Sequence, residues 1–70
     1  MFDYSKLRGR IIEKCGSIEK FADAVGVSMT TMSLKLNNKS GISREDIITW
    51  AKILDIDISE YGVYFFTLKV

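Results

Sequence analysis

Three residues, Gly26, Val27 and Ser28, separate two stretches that each repeat apolar side chains at the helical period. So short a joint leaves little freedom in how the two helices meet. Upstream, Ser17 is a good N-cap, and Ile18, Phe21, Ala22 and Val25 fall on one face before Gly26. Downstream, Ser28 caps a helix running to about Asn37, with Met29, Met32 and Leu36 on its inner face. A left-handed Gly26 would end the first helix and let the second start steeply against it. Ala22 is small where the helices cross, and Val25, Val27 and Met32 form the apolar wedge that fixes the crossing. The run Phe21-Ala22-x-x-Val25-Gly26-Val27-Ser28-x-x-x-Met32 thus has the spacing of a helix-turn-helix within residues 17–37.

The remaining elements are read from glycine and serine punctuation, because the chain has no proline. A first helix is predicted from about Ser5 to Cys15, with Leu7, Ile11 and Cys15 as its buried stripe. Gly9 inside it costs about 1 kcal/mol against alanine, which predicts a close backbone approach there. After the turn Asn38-Lys39-Ser40-Gly41, the capping box Ser43-Arg44-Glu45-Asp46 opens a fourth helix with Ile47, Trp50, Ala51 and Leu54 on one side. Trp50 is expected to be buried against Phe21 and Leu36. Ile56 and Ile58 are expected to close the core, and the β-branched and aromatic run Val63 to Leu68 reads as a strand. The fold class is therefore all-α, a single domain over 1–70 with four or five helices and a short C-terminal β-strand at 63–68.

Composition removes several kinds of function. The 47% hydrophobic content of these 70 residues suits a folded globule. No apolar run is long enough for a membrane helix and Met1 to Arg10 lack the apolar region of a signal peptide, so a soluble, cytoplasmic protein is expected. With one cysteine and no histidine there is no internal disulfide and no ordinary zinc site. Cys15 reads as a small buried apolar side chain. The usual general base is missing too, and neither paired carboxylates nor a phosphate loop suggests catalysis, so no enzyme activity, cofactor, metal or small-molecule ligand is expected. The net charge is only +1, but it is unevenly placed. Residues 1–41 hold seven Lys/Arg against four acids, and the rest hold three against five, a balance that suits a front half turned toward phosphates.

Residues 17–58 resemble the Cro and phage-repressor helix-turn-helix family. The longer run Met32-Ser33-Leu34-Lys35-Leu36-Asn37-Asn38-Lys39, followed by Ile42-Ser43-x-x-x-Ile47 and a terminal Tyr64-Phe65-Phe66, is similar to a group of short, largely uncharacterised phage and prophage proteins of Gram-positive bacteria. That likeness covers nearly the whole chain. It implies a repressor-like domain with the third helix in the major groove of double-stranded DNA and a role in transcription. Many relatives place Gln at the first position of the second helix, where it clamps a phosphate, and Gln or Arg near the start of the third. This chain has Ile18, Met29 and Thr30 there.

With that docking, the third helix would read bases through the Thr30, Thr31 and Ser33 hydroxyls and through apolar contact of Leu34 or Met29 with thymine methyls. Asn37 has two readings of equal weight, a bidentate adenine contact or a turn residue. Phosphates would meet Lys35 and Lys39 and the N-terminal backbone of the two helices at Ser17, Ile18 and Ser28, with a merely solvated role for Lys35 nearly as well supported. A rival reading keeps the scaffold but docks Leu34 and the methionines on another protein, as an anti-repressor would. The predicted tail strand needs an edge. It can take Phe2-Asp3-Tyr4 of its own chain or the same tail of a second subunit, and the second option, a two-fold homodimer on half-sites about 34 Å apart, is favoured.

Overall fold

A computed structural model describes residues 1–69. Its elements are α1 (Ser5–Cys15), α2 (Ile18–Val25), α3 (Met29–Leu36), α4 (Arg44–Leu54), a 3-10 turn (Ile58–Glu60) and α5 (Tyr61–Phe65). The caps read from the sequence are formed. Ser17 Oγ accepts from Lys20 N, Ser28 Oγ from Thr31 N, and Ser43 and Asp46 exchange both bonds of a capping box. Each offsets N–H groups that the first turn of a helix leaves unpaired.

The joint between α2 and α3 is built from backbone bonds. Gly26 sits at φ 88° and ψ 28°, in the left-handed region. Its N–H donates to Asp23 O at 3.2 Å while Val27 N–H reaches back to Ala22 O at 3.0 Å. Those two bonds are the Schellman pattern, which closes a helix and turns the chain within two residues. Ser28 then starts α3 at once.

The stripes meet in one core. Leu7, Ile11, Phe21, Met32, Trp50 and Leu54 are wholly buried, with Ala22, Leu36, Ala51, Ile56 and Phe65 nearly so. Trp50 meets Phe21 edge-to-face with ring centroids 5.2 Å apart, and Phe65 lies on it at 6.5 Å. α1 packs against α2, α4 and α5, so the first and last helices hold the middle of the chain between them.

Five expectations are corrected. Val63–Leu68 is not a strand: residues 61–65 are helical, and only Leu68 makes an antiparallel bridge, to Phe2 of the same chain. The helical period explains this, because Tyr61 and Phe65 are one turn apart, meet edge-to-face at 5.9 Å, and deliver Phe65 into the core. Burying that ring outweighs the modest strand preference of the segment. Met29 is 45% exposed and Ile58 77% exposed, so neither joins the core. Met29 is the first residue of α3, where the chain has just left the turn. A Cβ on Gly9 would meet nothing within 4 Å, so no close approach exists there. Cys15 is half-buried at the core's edge, more open than its reading as a buried side chain.

The chain ends are tied to the α3–α4 turn by a residue read only as part of that turn. Asn38, at φ 60°, accepts from Phe2 N through Oδ1 at 3.0 Å and donates to Phe2 O through Nδ2 at 2.9 Å. On the other edge of the same stretch, Asp3 N donates to Thr67 O and Lys69 N to Met1 O. Residues 1–3 are thus an extended piece held between a side-chain amide and the tail.

Candidate functional site

The Schellman turn leaves one side of α3 uncovered, because α3 packs chiefly on α2 through Met32 and Leu36. Met29, Thr30, Ser33, Leu34 and Asn37, together with Lys39 beyond the helix end, line one open depression of about 630 Å³. Five of the six residues proposed from sequence as base contacts therefore share a surface, with one cation at its rim. Met29 and Leu34, 45% and 44% exposed, give that surface an apolar share.

The sixth, Thr31, is half-buried beside the cap, and its Oγ1 accepts from Ser28 Oγ at 3.0 Å. At the phosphate positions, the Ser17 and Ser28 hydroxyls already serve their caps, and Ile18 packs against the core. What those positions offer a ligand is backbone N–H at two helix starts.

Lys35 is engaged elsewhere. Its ammonium forms a short, partly buried ion pair with Asp46, the same carboxylate that completes the α4 capping box. Burial raises the Asp46 carboxyl, but the hydrogen bond from Lys35, the Ser43 backbone N–H and the Lys35 charge outweigh it and hold the group below the ordinary carboxylate value. Lys35 therefore ties α3 to α4 and leaves the set available for phosphate. Asn37 is engaged as well. Arg8 Nη2 donates to its Oδ1 at 2.9 Å and its Nδ2 donates to Ser33 Oγ at 3.1 Å. A bidentate adenine contact by Asn37 would have to break both.

Intramolecular partners also take other cations of the basic front half. Arg10 bridges Glu13 and the carbonyls of Leu54 and Asp55 at the end of α4, and Lys14 lies 3.9 Å from Asp55. Among the described residues, Lys6, Lys20 and Lys39 have no ion pair or side-chain hydrogen bond. Sequence alone counts these charges alike, because Leu54 and Asp55, which engage Arg10 and Lys14, are distant in the chain. No group of three or more His, Cys, Asp or Glu among the described residues could hold a metal ion, and no helix there is long and apolar enough to cross a membrane.

Fold and surface together define a small all-helical domain, whose helix–tight turn–helix unit presents the outer side of α3. The chain belongs to the family described as "Protein of unknown function (DUF739)", whose model matches residues 1–68. Among solved structures it is similar to the solution structure of the modulator of repression (MOR) of the temperate bacteriophage TP901-1 from Lactococcus lactis. The identity is 42% and the TM-score 0.86, over 99% of this chain and 93% of that one. No curated protein matches. The family that matches is one of unknown function rather than the Cro and phage-repressor group that residues 17–58 resemble. The likeness to short, uncharacterised phage proteins agrees with both findings.

Proposed function

We propose that this chain is a phage regulatory protein acting on a repression switch, and that it binds double-stranded DNA in a sequence-specific way with α3 in the major groove. The observation that carries the DNA reading is the shared surface of Met29, Thr30, Ser33, Leu34 and Asn37 with Lys39 at its rim. Hydroxyls and apolar side chains alone make a modest code of single hydrogen bonds and thymine-methyl contacts. The switch reading is supported by the 42% identity to a protein titled a modulator of repression. The role is one of binding, in the cytoplasm where phage DNA is transcribed, with no catalytic step.

A second reading is favoured by one observation of its own. With Arg8, Arg10, Lys14 and Lys35 held internally and Met29 and Leu34 exposed, the same surface suits docking on another regulatory protein. Selecting sites from random duplexes and titrating the selected site against salt separates the two. DNA binding by phosphate contact weakens steeply as salt rises, through counterion release, and yields a consensus. Failure to enrich any sequence, with no salt-dependent binding, would favour docking.

A second copy completes the DNA reading. The longest extent of the domain is 28 Å, less than the roughly 34 Å between half-sites one turn apart, so one copy cannot reach both. With the tail bridged to its own chain, the contact between copies would be made by side chains rather than by the strand that the sequence led us to expect.

A further inference from the structure

We propose that Arg8 is a positioning residue that, acting through Asn37, sets the Ser33 hydroxyl as a dedicated hydrogen-bond donor on the reading face of α3. This rests on the DNA reading above. A guanidinium has donors and no acceptor. Arg8 Nη2 faces the Asn37 side chain at 2.9 Å, so the atom turned toward it must be the amide oxygen, and the amide nitrogen then faces Ser33. An NH₂ group only donates, and Ser33 Oγ must therefore accept at 3.1 Å. The charge on α1 thereby orients two groups on α3 in sequence. A second bond from Arg8 Nη2 to Leu36 O, at 3.4 Å, holds the guanidinium over the end of α3.

What remains on Ser33 is its hydroxyl proton. Serine within a helix often turns that proton back to a carbonyl in its own preceding turn. Ser33 makes no such bond, and its hydroxyl finds no acceptor among the described residues while lining the depression. Accepting from an amide polarised by a cation strengthens the hydroxyl as a donor. In the major groove that donor suits N7 or O6 of guanine, N7 of adenine or O4 of thymine, and it disfavours the amino edge of cytosine. Asn37 is on this account a part of base selection without touching a base.

The sharpest test is Asn37→Asp. A carboxylate still accepts from Arg8, and more strongly, but it would also accept from Ser33, turning the hydroxyl proton inward and leaving only oxygen lone pairs toward the groove. With the full chain and a randomised duplex library, the wild type should show one column favouring an acceptor-bearing base. Ser33→Ala should reduce that preference roughly fivefold to tenfold with the other columns intact, the loss of about one hydrogen bond. Arg8→Ala should blur the same column, Arg8→Lys should restore part of it, and Asn37→Asp should shift it toward bases that present an amino group.

Thermal melts identify any variant that fails to fold. In the free protein, the Asn37 side-chain NH₂ resonances should move in both Arg8→Ala and Ser33→Ala. Resonances that move in neither overturn the relay whatever DNA does. A wild-type consensus that Ser33→Ala leaves intact, or that Ser33 and Arg8 variants alter in different columns, overturns the relay while the DNA reading stands. A wild type that enriches nothing overturns the DNA reading and the proposal with it.

Discussion

Trp50 is the side chain on which most of the core depends. It is fully buried, edge-on to Phe21 and against Phe65, so it joins α2, α4 and α5. Its indole N–H is buried without an acceptor among the described residues. Trp50→Ala should cost about 3–5 kcal/mol, comparable to the whole stability of a domain this small, and should largely remove the cooperative thermal transition. Trp50→Phe discards the unpaired N–H, whose burial costs about 1–3 kcal/mol, and should lose much less. Equal melting temperatures for wild type and Trp50→Ala would mean the core has been misassigned. Asp46 contributes to the acid limb of stability, beside Asp3 and the exposed Asp57, whose carboxyls are also lowered by hydrogen bonds from Ser5 and Ser59. The folded-state value of Asp46 lies below its unfolded one, so its contribution is fully present above roughly pH 4 and is lost as pH falls through the lower folded value. Asp46→Asn should cost about 1–2 kcal/mol at neutral pH and flatten the acid limb of stability. Chemical denaturation from pH 7 down to pH 2 reads both, and an unchanged acid limb would count against the Lys35–Asp46 pair as its source.

Two glycines, one inside α1 and one just past the end of α2, separate local propensity from geometry. Gly9 is exposed in the interior of α1 with open space around its missing Cβ, so Gly9→Ala should raise stability by roughly 0.5–1 kcal/mol. Gly26 also has open space, but its φ of 88° strains any L side chain, and Gly26→Ala should lose about 1–2 kcal/mol. Opposite shifts in melting temperature are expected, and a gain at both sites would show that the α2–α3 turn tolerates a right-handed residue. For α3, Thr30→Ala and Leu34→Ala should change which base is preferred, because both side chains line the depression. Lys39→Ala should weaken binding to all duplexes alike and lower the salt slope by roughly one. If none of the three alters DNA binding, protein docking becomes the better account of this face.

The two ends of the chain close the molecule on itself. Phe2 is held by Asn38 on one edge and Leu68 on the other, and Phe65 seats α5 in the core. Deleting residues 63–70 should therefore unfold the domain rather than release a folded monomer from a dimer. Helical circular dichroism after the deletion checks this, and a fully folded product would show that α5 is dispensable. Two copies are expected on each selected duplex, with half-site centres about 34 Å apart. Sedimentation of the complex measures the number directly, and one copy per duplex would remove the two-fold arrangement.

How much of this was legible in the sequence follows from the range of the interactions. Four helices, the serine caps of three of them, the turn at Gly26 and the outer face of α3 were readable, because caps, periodicity and left-handed turns are settled among residues within about one helical turn. The fate of the tail was not, since whether Tyr61–Phe65 is helix or strand depends on a place for Phe65 beside Trp50 that exists only after α2 and α4 have met. The working state of the charged and polar side chains was equally hidden. Lys35 finds Asp46 eleven residues away and Arg8 finds Asn37 twenty-nine away. A cation's availability to a ligand is decided by what the fold has already set against it, and tertiary packing alone supplies those partners.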